Sequence, residues 1–154
     1  MPLDINLPDA GATEALGAAL ATGVAPGRVL YLRGDLGAGK TTLVRGLLRA
    51  LGYAGRVKSP SYTLVEPYKL SSLHFYHFDF YRFKDRSEWL SSGFREYFNP
   101  RSVCVVEWPE KAGDLLAPPD VEVQLAFCAE HRKATLQAHS AAGEAWLSAL
   151  PAFS

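Results

Sequence analysis

Two hydrophobic patterns follow one another near the start of the chain and frame a glycine-rich loop. Residues 29–32 form a continuous apolar run, as expected of a strand that is buried on both faces. After the loop, apolar residues recur at helical spacing, and Gly52 is placed to end that helix. The recurring residues are Leu43, Val44, Leu47, Leu48 and Leu51. The pattern therefore predicts a strand, a loop and a helix in succession.

The rest of the chain is rich in short strand patterns. We expect further strands at residues 4–7, 62–68, 73–81 and 103–106. Apolar and polar residues alternate over 121–127 and again over 134–138, with a charged turn at 130–133 between them. This alternation predicts an antiparallel hairpin near the end of the chain.

Helices are predicted between these strands. The first spans residues 9–23, and another turn of helix is expected over 94–98. Asp85 and Glu88 resemble a capping box for a short helix, which Gly93 ends. A last helix is expected over 142–150, stopped by Pro151.

The loop carries the pattern Gly-x-x-x-x-Gly-Lys-Thr within the sequence GDLGAGKTT, residues 34–42. Its glycines can adopt backbone angles that let successive N–H groups point at one anion, and the next helix adds its free N-terminal amides. Lys40 supplies an ammonium group for the outer phosphates, and Thr41 offers a hydroxyl to Mg²⁺. The predicted nucleotide-binding residues are Gly34, Asp35, Leu36, Gly37, Ala38, Gly39, Lys40, Thr41 and Thr42, with Thr13 of the first helix as a candidate contact to the base.

This strand–loop–helix context predicts a three-layer α/β P-loop fold with a mixed central sheet and a C-terminal β-hairpin. At 154 residues, the chain is most simply one domain spanning residues 1–154.

Two carboxylates are candidates for the acidic partner that a P-loop needs at the end of a neighbouring strand. Asp79 ends an aromatic strand and has the shorter carboxylate that suits a ligand of Mg²⁺ or of its bound water. Glu107 ends the apolar run 103–106 and is suited to orient or deprotonate an attacking water. Both are predicted to be catalytic together with Lys40.

Other polar residues near the loop have less definite roles. Hydroxyls of Ser59, Ser61 and Thr63 either reach the γ-phosphate or Mg²⁺ or only stabilise a turn. Trp108 is interpreted as a packing or lid residue. His74 and His77 lie three apart on a predicted strand, so they point to opposite faces and do not form a metal pair.

Charge and cysteine content limit the remaining classes. The formal net charge is zero, whereas a chain that binds nucleic acid by itself usually has a basic excess, so contact with RNA is expected mainly through a partner. There are two cysteines and no apolar run long enough to cross a bilayer. The first residues lack a basic segment followed by an apolar stretch, so a secretory signal is not expected. We expect a cytoplasmic protein that does not associate with a membrane.

Four stretches of the chain, in this order and approximate spacing, resemble the TsaE family (formerly YjeE) of small bacterial P-loop ATPases. They are GDLGAGKTTLVRGLLRALG from Gly34, SPSYTLVEPY from Ser59, HFDFYRF from His77 and VVEWPEKAGDLL from Val105. The similarity runs from the first helix to about Leu116, and from Ala117 onward only the strand pattern matches.

The resemblance implies a Mg²⁺-dependent ATPase that takes part in threonylcarbamoyladenosine formation in tRNA, at the adenosine beside the anticodon. It implies two partners, TsaD, which performs the transfer, and TsaB, its scaffold, whose assembly ATP hydrolysis would reset. By the same resemblance, Lys40 and Thr41 serve phosphate and Mg²⁺, Asp79 is the metal-side acid and Glu107 the second essential acid. Thr41, Asp79 and Glu107 are thus the expected metal-site residues.

Three other functions fit a P-loop. A small-molecule or nucleotide kinase would need an arginine-bearing lid, and the arginines form no obvious lid cluster in the sequence. A GTPase would commonly carry an Asn-Lys-x-Asp element, which is absent. A nucleotide-sensing module that does not hydrolyse ATP differs from a partner-activated ATPase only in its response to partners.

Overall fold

The structure is a computed structural model that describes residues 2–35, 37–70 and 73–151. Within these ranges, seven strands and four α-helices are linked by turns and short 3₁₀ segments. The strands are β1 (Leu3–Leu7), β2 (Val29–Arg33), β3 (Val65–Leu70), β4 (Leu73–Asp79), β5 (Ser102–Glu107), β6 (Val121–Cys128) and β7 (His131–Ala138). The helices are α1 (Ala10–Leu20), α2 (Lys40–Ala50), α3 (Arg86–Ser92) and α4 (Ala141–Ser148).

The described strands form one mixed sheet in the order β1-β7-β6-β2-β5-β4-β3. Strand β2 pairs in parallel with β5 and β6, and β5 pairs in parallel with β4. Strands β1, β3 and β7 join in antiparallel pairs. Because parallel strands end at the same edge of a sheet, the carboxyl ends of β2, β4 and β5 lie side by side.

Helices α1 and α2 cover one face of the sheet with a leucine-rich core. Leu30 and Leu32 of β2 pack there with Leu43 and Leu47 of α2, and all four are fully buried. Each such side chain contributes about 1.5–3 kcal/mol through its burial. This packing fixes α2 against β2 and thereby fixes the loop that joins them.

The opposite face is covered by an aromatic core. Phe78 and Phe80 pack edge-to-face against Phe94, and Phe80 also lies near Trp89 of α3. Tyr31 of β2 faces this cluster, whereas its neighbours Leu30 and Leu32 face the other. The apolar run at 29–32 is therefore buried on both faces, as predicted.

The predicted fold class is confirmed: helices flank a mixed sheet, and β6 and β7 form the C-terminal hairpin. The prediction of a turn over the charged segment 130–133 is wrong, however, because β7 already begins at His131. The reversal is tighter than predicted, with Ala129 in the left-handed region at φ 58°.

Two strand boundaries were also predicted wrongly. The strand expected at 62–68 begins only at Val65, since the N–H of Leu64 donates to the Pro60 carbonyl at 2.7 Å and forms a turn. The strand expected at 73–81 ends at Asp79, and a turn closed by the N–H of Phe83 and the carbonyl of Phe80 follows. Both turns have apolar residues, which continue the strand pattern in the sequence.

The predicted helices are present with shorter bounds, and α1 continues as a 3₁₀ turn at Ala21–Gly23. Asp85 caps α3 by accepting from the N–H groups of Ser87 and Glu88, and Gly93 ends the helix at φ 67°. The Glu88 carboxylate, in contrast, accepts from Lys84 and not from Asp85, so the reciprocal half of the capping box is shifted by one residue. None of the helices in the described residues is long and apolar enough to span a membrane.

Candidate nucleotide-binding site

The P-loop connects the end of β2 to the first turn of α2. Gly39 precedes α2 with φ 105°, in the region that favours glycine. A Cβ atom on Gly34 would lie 2.6 Å from the carbonyl oxygen of Leu125, so the loop also needs a glycine where it passes β6. The predicted nucleotide-binding residue Leu36 lies outside the described residues.

A cleft of about 460 Å³ opens in front of this loop, a size typical of small-molecule sites. Its lining includes the start of α2, whose unpaired N–H groups and positive dipole end favour an anion. The lining residues are Gly37, Gly39, Lys40, Thr41, Thr42, Ser59, Ser61, Asp79, Tyr81, Arg82, Glu107, Trp108 and Arg132. The cleft therefore combines an anion-binding helix terminus with acidic, basic and aromatic side chains.

The Lys40 side chain is folded against the protein. Its ammonium donates to the Gly34 carbonyl and lies 4.1 Å from the centre of the Trp108 ring. Burial lowers the pKa of Lys40, while the nearby carboxylates of Glu107 and Asp79 oppose that shift. A bound phosphate would place further negative charge beside this ammonium and so offset the effect of its burial.

Asp79 and Glu107 lie next to each other at the ends of β4 and β5. They are register partners in the parallel pair, and their exposed fractions are 6% and 3%. Burial raises the pKa of Asp79, and the Glu107 charge raises it further, whereas the N–H of Tyr81, His77 and Lys40 act in the opposite direction. The Tyr81 N–H donates to Asp79 Oδ1 at 2.9 Å.

The donor atoms of the cleft suit Mg²⁺. Thr41, Asp79 and Glu107 all line it and offer a hydroxyl and two carboxylates, the hard oxygen ligands that this ion prefers. The raised pKa of Asp79 indicates a buried carboxylate whose charge is incompletely compensated, which a cation would correct. The residues present therefore fit a Mg²⁺ ion.

Comparisons with known proteins identify the family. The family model described as threonylcarbamoyl adenosine biosynthesis protein TsaE matches residues 7–135. The chain belongs to the TsaE family. It is 46% identical over 121 residues to the protein of that name from Haemophilus influenzae, covering 79% of this chain and 77% of the relative.

Further relatives agree with this assignment. The Bacillus subtilis TsaE is 46% identical over 96 residues, which cover 62% of this chain and 60% of the relative. The crystal structure of Bacillus subtilis YdiB aligns with a TM-score of 0.78 at 30% identity, covering 96% of this chain and 93% of that one. The fold is thus shared over nearly the whole length.

The predicted site residues of this TsaE-family chain take different positions. Lys40, Thr41, Thr42, Asp79 and Glu107 converge on the cleft, as do Gly37 and Gly39. Gly34, Asp35 and Ala38 belong to the loop but are not part of the lining. Thr13 is fully buried behind the loop, and its methyl group would lie 3.4 Å from a Cβ on Gly39. Its contact with adenine stays a prediction.

The hydroxyl residues after α2 are divided by the structure. Ser59 and Ser61 line the cleft, whereas Thr63 is exposed in the turn before β3 and does not belong to the lining. Trp108 also lines the cleft with its backbone in the left-handed region at φ 55°. Its ring covers the Lys40 ammonium, so its place is at the site and not only in the core.

Sequence reasoning missed several residues of the cleft. Arg132 at the start of β7 donates to the Gly37 carbonyl at 3.2 Å, and its Nε is buried without a partner among the described residues. Arg82 lies in the same lining, so two arginines reach a cleft for which the sequence indicated no arginine cluster. Only the strand order, which brings the hairpin beside β2, places Arg132 there; the motif HFDFYRF was the available signal for Arg82.

The two histidines of β4 differ, as their spacing predicted. His74 is exposed, whereas His77 is fully buried and lies 2.5 Å from a carboxylate oxygen of Glu107. No local sequence pattern predicts this pairing, because the two residues are 30 positions apart.

Proposed function

We propose that this chain is a Mg²⁺-dependent ATPase that supports N6-threonylcarbamoyladenosine modification of tRNA. Its role is to bind and reset a complex of TsaB-like and TsaD-like proteins in the cytoplasm. The observation that carries the ATPase activity is the convergence of Lys40, Asp79 and Glu107 on one cleft at the N-terminus of α2. Family membership supports the pathway, and the zero net charge favours contact with tRNA through the partners.

The phosphates of ATP bind at the P-loop. The amides of the loop and of the first turn of α2 donate to phosphate oxygens. The Lys40 ammonium releases the Gly34 carbonyl and donates to the outer phosphates instead. Their negative charge compensates for the burial of this ammonium beside Trp108. Arg132, already bonded to the Gly37 carbonyl, adds a second positive charge at the loop.

The acids of the cleft have separate roles. Thr41, Asp79 and Glu107 are the residues that would hold Mg²⁺, and the bound ion would neutralise charge on the phosphate oxygens. The Tyr81 N–H keeps one Asp79 oxygen in place, which leaves the other for the cleft. Glu107 orients the attacking water and accepts its proton.

The reaction is an in-line displacement at the γ-phosphorus. The water oxygen forms a bond to phosphorus as the bond to the β,γ-bridging oxygen breaks, and ADP and inorganic phosphate leave. Charge that develops on the transferring group is stabilised by Lys40 and by the fixed amides of the loop.

The test is phosphate release from ATP by the chain alone and with TsaB-like and TsaD-like proteins. We expect slow turnover alone, stimulation by the partners, and loss of both in Lys40→Ala. A partner complex of proven transferase activity that gives no stimulation would contradict the partner-coupled function. Turnover that persists in Lys40→Ala would show that another site, or a contaminant, hydrolyses the ATP.

A kinase acting on a small molecule or nucleotide is the alternative that one observation favours. Arg82 and Arg132 both line the cleft, where a kinase would use arginines to bind the transferring phosphate. Incubation with labelled ATP and a panel of metabolites separates the two functions. We expect label only in inorganic phosphate, whereas label in an acceptor would establish the kinase.

A further inference from the structure

His77 lies directly below the two carboxylates that end β4 and β5. It is two residues before Asp79 and therefore points to the same face of the sheet. Since Asp79 and Glu107 are register partners, His77 is the diagonal neighbour of Glu107 across the parallel pair. Its Nε2 lies 2.5 Å from Glu107 Oε2, and neither side chain is appreciably exposed.

The imidazole is poorly explained by packing alone. A neutral imidazole that donates from Nε2 to the Glu107 carboxylate carries its acceptor on Nδ1. Nδ1 is buried and has no partner among the described residues. Leaving a buried polar atom unpaired is unfavourable, and an apolar side chain at this position would avoid it. The hydrogen bond to Glu107 is what the histidine adds.

We propose that His77 is a positioning residue that holds the Glu107 carboxylate in the orientation needed to direct the attacking water. This inference rests on the ATPase function proposed above. His77 anchors Oε2, and Oε1 has no hydrogen bond to the described part of the protein, so it is the oxygen left for the cleft. Asp79 is arranged in the same way, with one oxygen anchored by the Tyr81 N–H.

Glu107 needs such an anchor because its side chain has three rotatable bonds. Within the described residues, His77 is the only hydrogen-bonding partner of the Glu107 carboxylate. A catalytic group must be held within a fraction of an ångström of its productive position, and loss of a supporting partner typically reduces activity about 10- to 100-fold.

The experiment compares His77→Leu and His77→Phe, which lack a donor, with His77→Gln, whose amide can donate to Glu107. Phe75→Leu is the matched control, because Phe75 is fully buried on the same face of β4 and makes no hydrogen bond to Glu107. The kcat and KM for ATP are measured with the partner proteins present, together with the thermal midpoint of each variant.

We expect kcat to fall about 10- to 100-fold in His77→Leu and His77→Phe, with KM for ATP changed less than about threefold, and partial recovery in His77→Gln. Phe75→Leu should lower the thermal midpoint and leave kcat unchanged. A kcat in His77→Phe within about twofold of wild type would overturn the proposal. The proposal would also be overturned if kcat fell as far in His77→Gln and in Phe75→Leu as in His77→Phe.

A crystal structure of His77→Phe without nucleotide gives a readout that does not depend on turnover. The Glu107 carboxylate should leave its wild-type position or adopt several rotamers. An unchanged carboxylate would overturn the positioning role even if the chain is an ATPase. If wild type hydrolyses no ATP with active partners, the proposed function fails, and the carboxylate position still decides whether His77 orients Glu107.

Discussion

At the scale of single residues, the floor of the cleft holds three buried ionisable side chains, Lys40, Asp79 and Glu107. Burial lowers the pKa of Lys40 and raises the pKa of Asp79, so each charge is less favourable in the protein than in water. Phosphates and a divalent cation would compensate both charges. The site is thus better suited to its ligands than to the stability of the free chain.

Replacement of Asp79 by asparagine tests this conflict between stability and function. Asp79→Asn keeps an oxygen for the Tyr81 N–H and removes a buried charge, so the thermal midpoint at pH 7 should rise. Because the folded pKa is raised, ionised Asp79 destabilises the fold at neutral pH, and this penalty disappears as pH falls below the ordinary value of 3.8. The gain in Asp79→Asn should therefore vanish in acid.

Calorimetry across pH measures that gain, and ATPase assays measure its functional cost. Mg²⁺-dependent turnover should fall in Asp79→Asn while ATP still binds. Normal turnover in this variant would remove Asp79 from the metal site.

The two cysteines should differ in reactivity. Cys128 is exposed, whereas burial raises the pKa of Cys104 to about 12. Thiolate is the reactive form, so iodoacetamide at pH 8.5 should modify Cys128 and spare Cys104 until the chain unfolds. Mass spectrometry of Cys128→Ser, in which Cys104 is the one remaining cysteine, provides the check. Rapid labelling of this folded variant would mean that Cys104 is accessible.

At the scale of elements, the position of the P-loop depends on the close packing of α1 against α2. A Cβ on Gly46 would overlap the Glu14 carbonyl oxygen, and one on Gly17 would overlap that of Leu43. The two helices therefore touch through their backbones, which brings Thr13 of α1 against the loop. The sequence predicted both helices but not this contact, because helical spacing does not specify how two helices cross.

Substitution of Gly46 by alanine tests this packing. Alanine favours a helix by about 1 kcal/mol over glycine, yet the overlap with Glu14 should outweigh that gain and destabilise the fold by about 1–3 kcal/mol. Gly11→Ala is the matched control, since Gly11 is an exposed residue of α1 and its Cβ would come no nearer than 3.3 Å to Asp9. Urea denaturation that shows Gly46→Ala to be as stable as Gly11→Ala would refute the close contact.

At the scale of the whole molecule, α4 ties the end of the chain to the first helix. Trp146 is fully buried, and its Nε1 donates to the Leu20 carbonyl at 2.8 Å. The family match ends at residue 135, before this helix begins. Helix α4 therefore contributes to the stability of this chain from outside the matched region.

Replacement of Trp146 by alanine should lower the stability of the fold without changing the affinity of the cleft for ATP. Trp146→Ala should reduce the free energy of unfolding by about 3–5 kcal/mol through the cavity and the lost hydrogen bond. ATP affinity, measured well below the thermal midpoint, should stay near wild type because Trp146 does not line the cleft. If ATP affinity falls together with stability, the packing of α4 affects nucleotide binding at the P-loop, contrary to this prediction.

The sequence predicted the fold class and the candidate residues that meet in the cleft because both depend on local patterns. Patterns only a few residues long were enough to predict the apolar run before Gly34, the loop itself and the acids that end β4 and β5. Arg132 and His77 were missed because their roles depend on strand order and register, which bring distant segments together. The turns before Val65 and after Asp79 were missed because apolar residues there mimic strand continuation.

The measurement that tests the central claim most directly compares ATP binding with phosphate release in wild type and Glu107→Gln, both with the TsaB-like and TsaD-like proteins present. We expect Glu107→Gln to bind ATP with a dissociation constant within about threefold of wild type and to release phosphate at least about 100-fold more slowly. Phosphate release at the wild-type rate would contradict the claim that this cleft hydrolyses ATP by directing water through Glu107.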